Sequence, residues 1–154
     1  MTMYQLIEPT SVTNELTVTL YKLSQAAFDF GSPWTEQQFA DALANSNNRT
    51  LIICDDQSQN TLAYCTIQVV LDEAELLAIA VSPEQQGKNT GKRIWYEMKK
   101  LLRTEGCHKC FLEVRESNQI ARSFYETLGF ERIGTRKKYY HFPTESAILM
   151  AISL

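Results

Sequence analysis

The sequence predicts an α/β domain of the α+β kind, a mixed sheet with helices packed on it. Three observations predict it. Apolar residues recur at three- and four-residue steps in several stretches, the spacing of helices with one buried face. Other short stretches are β-prone and bounded by polar turns. The order of the two is uneven: a strand, two helices, three strands, a helix, a strand, a helix and two strands. Adjacent strands without helices between them favour a mixed sheet. The 154 residues suit one domain rather than two. With 44% hydrophobic and 21% charged residues, the composition argues against a disordered tail, a collagen-like fibre or a coiled coil.

Residues 3–8 alternate weakly and read as a first strand. Residues 12–30 place Leu16, Leu20, Leu23, Ala27 and Phe30 on one helical face, and Gly31-Ser32-Pro33 breaks the helix. Thr35 with Glu36 and Gln38 opens a short helix as far as Ala44, and Thr35-x-x-Gln38 fits a capping box. Asn45–Asn48 reads as a loop. Three β-prone runs follow, Thr50–Cys54, Leu62–Leu71 and Glu75–Val81, with a polar turn at Asp55–Asn60 between the first two. From Thr90 to Glu105, Ile94, Trp95, Met98, Leu101 and Leu102 share one helical face, and Gly106 suits the C-terminal cap. Cys110–Val114 is a short strand. Asn118–Leu128 is a helix with Ile120, Ala121, Phe124, Tyr125 and Leu128 in step, closed by Gly129. Phe130–Ile133 leads into a strand. Arg136-Lys137-Lys138-Tyr139-Tyr140 reads as a basic-aromatic loop before a final strand at Ala147–Ile152.

Lys plus Arg number 15 against 18 Asp plus Glu, a net charge of −3. That argues against a generic nucleic-acid binder and suits long-range attraction of a basic peptide or amine. No run of 18 apolar residues exists, so no membrane partner is expected, and the first ten residues have neither the basic start nor the apolar stretch of a secretory signal. A cytoplasmic location is the expectation. Cys107 and Cys110 form a C-x-x-C pair, which suits either zinc or redox chemistry or, with Cys54 and Cys65, buried thiols in a reducing compartment. The spacing of Cys54 and Cys65 is that of neighbouring strands rather than a zinc knuckle, so no metal is expected.

The stretch from Val81 to Lys92 contains a strand end, a polar turn with Gly87 and Gly91, and a helix start. Such a turn either simply caps the helix or points successive backbone N–H groups at an anion, with Lys88 and Lys92 adding charge. It is neither a Walker A loop nor a dinucleotide fingerprint, because both glycine spacings fail. Glu113 lies inside an apolar strand, where an acid either faces solvent or occupies a desolvated site. Tyr125 lies on the apolar face of the last helix, as a core tyrosine or as a site residue.

Taken in order, four motifs resemble the GCN5-related N-acetyltransferases (GNAT). They are Ala74-Glu75-Leu76-Leu77-Ala78-Ile79-Ala80-Val81-Ser82-Pro83, then Gln86-x-x-Asn89-x-Gly91, then Leu112-Glu113-Val114-Arg115-x-Ser117-Asn118, then Phe124-Tyr125-Glu126-x-Leu128-Gly129-Phe130. With Pro33-Trp34-Thr35 and Arg136–Tyr140, the chain resembles the subgroup that acetylates the N-terminal alanine of a small-subunit ribosomal protein. The resemblance implies acetyl-CoA as co-substrate and a sheet splayed open between its fourth and fifth strands. It implies that Ile79, Ala80 and Val81 offer backbone hydrogen bonds to the pantetheine arm. Gly87, Lys88, Asn89, Thr90, Gly91 and Lys92 would cradle the pyrophosphate, and Asn118 would contact the cofactor. Glu113 would be the general base and Tyr125 the general acid. Trp34 and Tyr139, beside Tyr140, would wall the path of a ribosomal-protein N-terminal peptide. One position departs from the family pattern: Asn89 stands where a glycine is usual, and Asn is the residue after glycine that best tolerates positive φ. Acetylation of a small amine or a lysine, and a non-catalytic acyl-CoA-binding module, are the alternatives.

Overall fold

The computed structural model describes residues 4–9, 13–29, 31–141 and 143–154. Residue 3, expected in the first strand, and residues 12 and 30, expected as the ends of the first helix, lie outside the described residues. The elements are β1 (Tyr4–Ile7), α1 (Asn14–Ala27), α2 (Glu36–Ala44), β2 (Asn48–Asp55), β3 (Thr61–Val70) and β4 (Glu73–Val81). After a 3-10 turn at Pro83–Gln85 come α3 (Thr90–Thr104), β5 (Lys109–Arg115), α4 (Gln119–Thr127), β6 (Glu131–His141) and β7 (Thr144–Ser153). The strands form one seven-stranded sheet in the order β1-β2-β3-β4-β5-β7-β6. Every neighbouring pair is antiparallel except β4–β5, so the sheet is mixed as expected.

Local chemistry explains where the helices start. Thr13 accepts from the Leu16 N–H at 3.0 Å and caps α1. The capping box ahead of α2 is formed in full: Gln38 N–H donates to Thr35 Oγ1 at 3.1 Å, and Thr35 N–H donates to Gln38 Oε1 at 2.9 Å. Two orphan donors are thereby satisfied at the surface without tertiary help. α3 buries Ile94, Trp95, Met98 and Leu102 against one face of the sheet, and Leu128, Phe130 and part of α4 join them there. α1 and α2 cover the other face, where Leu20, Leu23 and Phe39 meet Ile52 and Tyr64. The central strands are therefore buried on both sides, which is why β2 reads as a continuous apolar run.

β4 does not keep a single alternation. Ala74 and Leu76 point to the α3 face, whereas Ala78 and Ala80 turn to the α1–α2 face. Two residues, Leu76 and Ala78, oppose the consecutive Ile67 and Thr66 of β3, so Leu77 is a bulge. A bulge bends its strand and steepens the local twist. It falls immediately beyond the last β4–β5 pair, Glu75 with Phe111. From there β4 and β5 separate, and the splay expected between the fourth and fifth strands is present.

Two expectations need correction. Asn48, read as loop, begins β2. Arg136–Tyr140, read as a basic-aromatic loop, belongs to β6 and pairs with β7 on either side of a register shift between Arg136 and Tyr140. β6 is an outer strand, so its residues are mostly exposed and charged side chains are at home on it. The irregularity, with Lys138 at φ +52°, absorbs the extra residues without ending the strand.

Candidate active site

The splay leaves part of β4 without a strand on one side. β4 and β5 pair only at Glu73–Lys109, Ala74–Cys110 and Glu75–Phe111. Ile79, Ala80 and Val81 lie beyond these pairs, matched only to Cys65, Tyr64 and Ala63 of β3. Their other edge carries backbone groups for an extended ligand. The Gln86 side chain donates to the Val81 carbonyl at 3.1 Å and so ties the end of this edge to the turn that follows.

That turn has the backbone of an anion cradle. Gly87 has φ +77° and Asn89 has φ +64° with ψ +13°, both left-handed, and α3 starts at the next residue. Asn89 makes no side-chain cap hydrogen bond to the first N–H groups of α3. They point out of the helix end where its partial positive charge lies. Nothing lies within 4 Å of the position a Gly87 Cβ would take. Thr90 and Gly91 are buried, and Lys88 and Lys92 are exposed beside the turn.

On the β5 side of the splay, Glu113 is half-buried and faces a cavity of about 320 Å³ whose walls include Glu75, Phe111, Ile133, Arg136 and Leu149. Arg136 Nη1 lies 3.4 Å from Glu113 Oε1. The same guanidinium sits 4.8 Å from the centre of the Tyr139 ring. Tyr139 meets Tyr140 edge to face at 5.1 Å, and Arg115 lies 4.2 Å over the Tyr140 ring. Partial burial, and then the nearby Glu113 charge, push the Tyr140 phenol up. Burial raises the Glu75 carboxyl and the Glu113 charge raises it further, while Arg136 pulls it down. Tyr125 projects from α4 into the apolar layer beside Phe130, 6.1 Å between ring centres. Burial pushes its phenol up to about 12, with smaller contributions from Cys65 and Tyr140. Tyr125 packs with the core on the α3 side of the sheet and does not line the Glu113 cavity, which opens on the other face of β5.

Some expected site residues also have local duties. Asn118 accepts from the Ala121 N–H at 3.1 Å and caps α4. Trp34 packs edge-on against Phe39 at 5.1 Å, in the aromatic cluster that includes Tyr64, and does not line the Glu113 cavity. The cysteines Cys54, Cys65, Cys107 and Cys110 are all buried free thiols. Glu75, Gln86 and the Arg136–Glu113 pair were not foreseen as site features. An acid inside the apolar β4 run was the available signal for Glu75. The Arg136 contact depends on how β6 folds and leaves no mark in the sequence pattern.

Residues 17–130 match the model of the acetyltransferase (GNAT) family. The chain belongs to that family, and it is an acetyltransferase that uses acetyl-CoA as acyl donor. Among its relatives, the [ribosomal protein bS18]-alanine N-acetyltransferase of Escherichia coli strain K12 is 38% identical over 138 residues, covering 87% of this chain and 88% of that protein. The enzyme of the same name from Haemophilus ducreyi is 33% identical over 138 residues, covering 88% and 92%. The crystal structure of the ribosomal-protein-S18-alanine N-acetyltransferase from Escherichia coli superposes with a TM-score of 0.81 at 30% identity, over 98% of this chain and 94% of that one. The PaiA N-acetyltransferase from Thermoplasma acidophilum, solved in complex with coenzyme A, shares the fold with a TM-score of 0.77 at 17% identity, over 99% of each chain.

The residues of this chain fit acetyl-CoA. A pyrophosphate needs convergent N–H donors and open space, and the left-handed Gly87 and Asn89 ahead of the uncapped α3 provide both. A pantetheine arm needs an unpaired strand edge, which β4 has only because its bulge ends the pairing with β5. Among the described residues, no helix is long and apolar enough to cross a membrane.

Proposed function

We propose that this protein acetylates the N-terminal alanine of a small-subunit ribosomal protein, the acceptor named for its bS18-alanine relatives, with Glu113 as general base and Tyr125 as general acid. Working on a ribosomal protein, it would act in the cytoplasm. The observation that carries the reading is the half-buried Glu113 carboxylate facing a cavity just where β4 and β5 part. Bound acetyl-CoA supplies the activated thioester carbonyl. The edge at Ile79, Ala80 and Val81 aligns the arm, and donors there polarise the carbonyl. Gly87, Lys88, Asn89, Thr90, Gly91 and Lys92 hold the pyrophosphate. Asn118 contacts the cofactor, and by capping α4 it also fixes the height at which Tyr125 projects.

The acceptor's chemistry sets what Glu113 must do. An α-amine has a pKa of about 8, so roughly a tenth is neutral at pH 7, whereas under about a thousandth of a lysine amine is neutral. One carboxylate, direct or through water, is an adequate base for the former. Tyr125, with its phenol near 12, is protonated throughout the working range and gives its proton to the departing thiolate as general acid. None of the four thiols is needed. Cys110 is pushed up to about 12 by burial, which argues against a cysteine-acyl route. Tyr139 and Tyr140, on the strand beside the cavity, suit contact with an extended peptide, and Trp34 supports the wall formed by α2.

The test is acetylation of a basic peptide with a free N-terminal alanine, followed by mass spectrometry. It should be modified far faster than its N-blocked copy, free lysine or a polyamine. Glu113→Gln and Tyr125→Phe should each lower turnover about a hundredfold or more with little change in melting temperature. Preferential modification of the polyamine, or equal rates on free and blocked peptides, would replace this acceptor with a small amine or lysine. Wild-type turnover in both variants would remove the assigned roles.

A further inference from the structure

Glu113 is not alone in its cavity, and the arrangement around it suggests more than a single base. We propose that Arg136 is a positioning residue for Glu113: a movable counter-ion that aims the carboxylate while the acceptor is absent and passes to Glu75 when the acceptor's ammonium arrives. The proposal rests on Glu113 being the base.

Three features of the geometry carry it. First, Arg136 reaches Glu113 from two strands away. Glu113 is level with Leu149 of β7, and Leu149 with Gly134 of β6. Gly134 has no side chain, and a Cβ there would touch Leu149 Cδ1 at 3.8 Å. Arg136 lies two residues beyond Gly134 on β6, and its guanidinium spans the Leu149 row to Glu113. Second, the guanidinium is loosely held. Its side chain is 53% exposed, its contact with Glu113 is 3.4 Å rather than a tight fork, and its other neighbour is the face of Tyr139. An incoming ammonium must approach the same carboxylate, and two cations cannot share it without repulsion. Third, a receiving anion is in place. Glu75 is paired with Phe111, two residues from Glu113 on the same face of the sheet. Glu75 lines the same cavity, and its carboxyl already responds to both Glu113 and Arg136.

The charged and titratable groups around Glu113 are few. β4 presents Glu75 and Glu73, β6 presents Arg136 and Tyr140, and β7 presents Leu149 and β3 Gln68, neither of which titrates. On β5 itself, Arg115 is engaged with Glu145 at 3.3 Å and with the Tyr140 ring. Arg136 is thus the cation available to exchange between the two acids.

The experiment compares wild type with Arg136→Gln, Arg136→Lys and Glu75→Gln by two readouts. Titration of ¹³C-labelled glutamate carboxyls in the free protein needs no acceptor. The pH profile of kcat/KM and the acceptor KM use whichever amine the enzyme accepts. Arg136→Gln should move the Glu75 titration upward, because the cation that pulls it down is gone, and should cost about tenfold in kcat/KM on the acid limb of the profile, a loss that closes at higher pH. Arg136→Lys should restore the wild-type limb. Glu75→Gln should move the limb downward and raise the acceptor KM, because the displaced guanidinium has no second anion. Carboxyl titrations identical in all four proteins would overturn the proposal whatever the acceptor is. So would a loss of rate that is uniform across pH. A moved titration in a protein that ignores the alanine peptide would instead refute the acceptor and leave the counter-ion standing.

Discussion

Substitution at Asn89 tests the cofactor turn at its least forgiving point. The residue has φ +64° and ψ +13°, and its side chain makes no cap hydrogen bond. Left-handed backbone costs an L-residue roughly 1–2 kcal/mol, with Asn at the low end and β-branched residues at the high end or beyond. Asn89→Gly loses no bond and removes that strain, so acetyl-CoA should bind at least as well as to wild type. Its stability gain is small, because glycine also frees the unfolded chain. Asn89→Val would relax the turn out of the left-handed region in the free protein, and binding must then restore it. At about 1.4 kcal/mol per tenfold, a penalty of 1–2 kcal/mol weakens binding roughly five- to thirtyfold. Titration calorimetry with acetyl-CoA measures the difference directly, and thermal melts run alongside separate it from global unfolding. Equal affinity in all three proteins would mean that this turn does not hold the pyrophosphate.

Other expectations follow from the same packing and charges. A Cβ at Gly91 would lie 2.8 Å from Phe124 Cζ and 3.0 Å from Cε1, so Gly91→Ala must push this ring, the neighbour of Tyr125. Overpacking of about 1–3 kcal/mol should exceed the helix-propensity gain of about 1 kcal/mol, lowering the melting temperature and turnover together; unchanged values would show that the α3–α4 contact is soft. Tyr125 and Cys110 both titrate near 12 when folded, above their ordinary values, so the native state holds protons that the unfolded chain has released. Stability should therefore fall as pH rises from about 9 to about 12, read as a declining urea midpoint, and Cys110→Ala should flatten the lower part of that decline. If the net charge of −3 attracts a basic acceptor, added salt should raise the KM for a basic peptide and leave that for a neutral one unchanged.

The parts of the fold that could be read from the sequence are those decided within a few residues. The capping box at Thr35 and Gln38 needs only a hydroxyl and an amide three residues apart, and it forms as expected. α3 shows its apolar stripe because one side of it faces a core and the other faces water. The turn between β4 and α3 was legible for a similar reason: Gly87 and Asn89 suit left-handed backbone, and both have left-handed φ. Residue roles carried by the motif order had no comparable local signature. Glu113 and Tyr125 alone look like a strand acid and a core tyrosine.

What the sequence hid lies at irregularities in strands. Beyond Glu75 the run to Val81 is apolar throughout, and nothing in it distinguishes Leu77 as the residue that drops out of the alternation. Yet that bulge decides the chemistry of the site, because it ends the β4–β5 pairing at Glu75 and leaves Ile79 to Val81 without a β5 partner. β6 repeats the lesson on the other side of the cavity. A run of Arg, Lys, Lys, Tyr, Tyr has no local reason to be a strand, and it becomes one because β7 supplies its hydrogen bonds. The break in that ladder beginning at Arg136 sets this residue beside Glu113 and Tyr139. Both departures cost paired backbone on one strand and return local geometry: an open edge in one case, a cation beside Glu113 in the other. Such features arise from competition between neighbouring strands, so periodicity read along one chain segment passes over them.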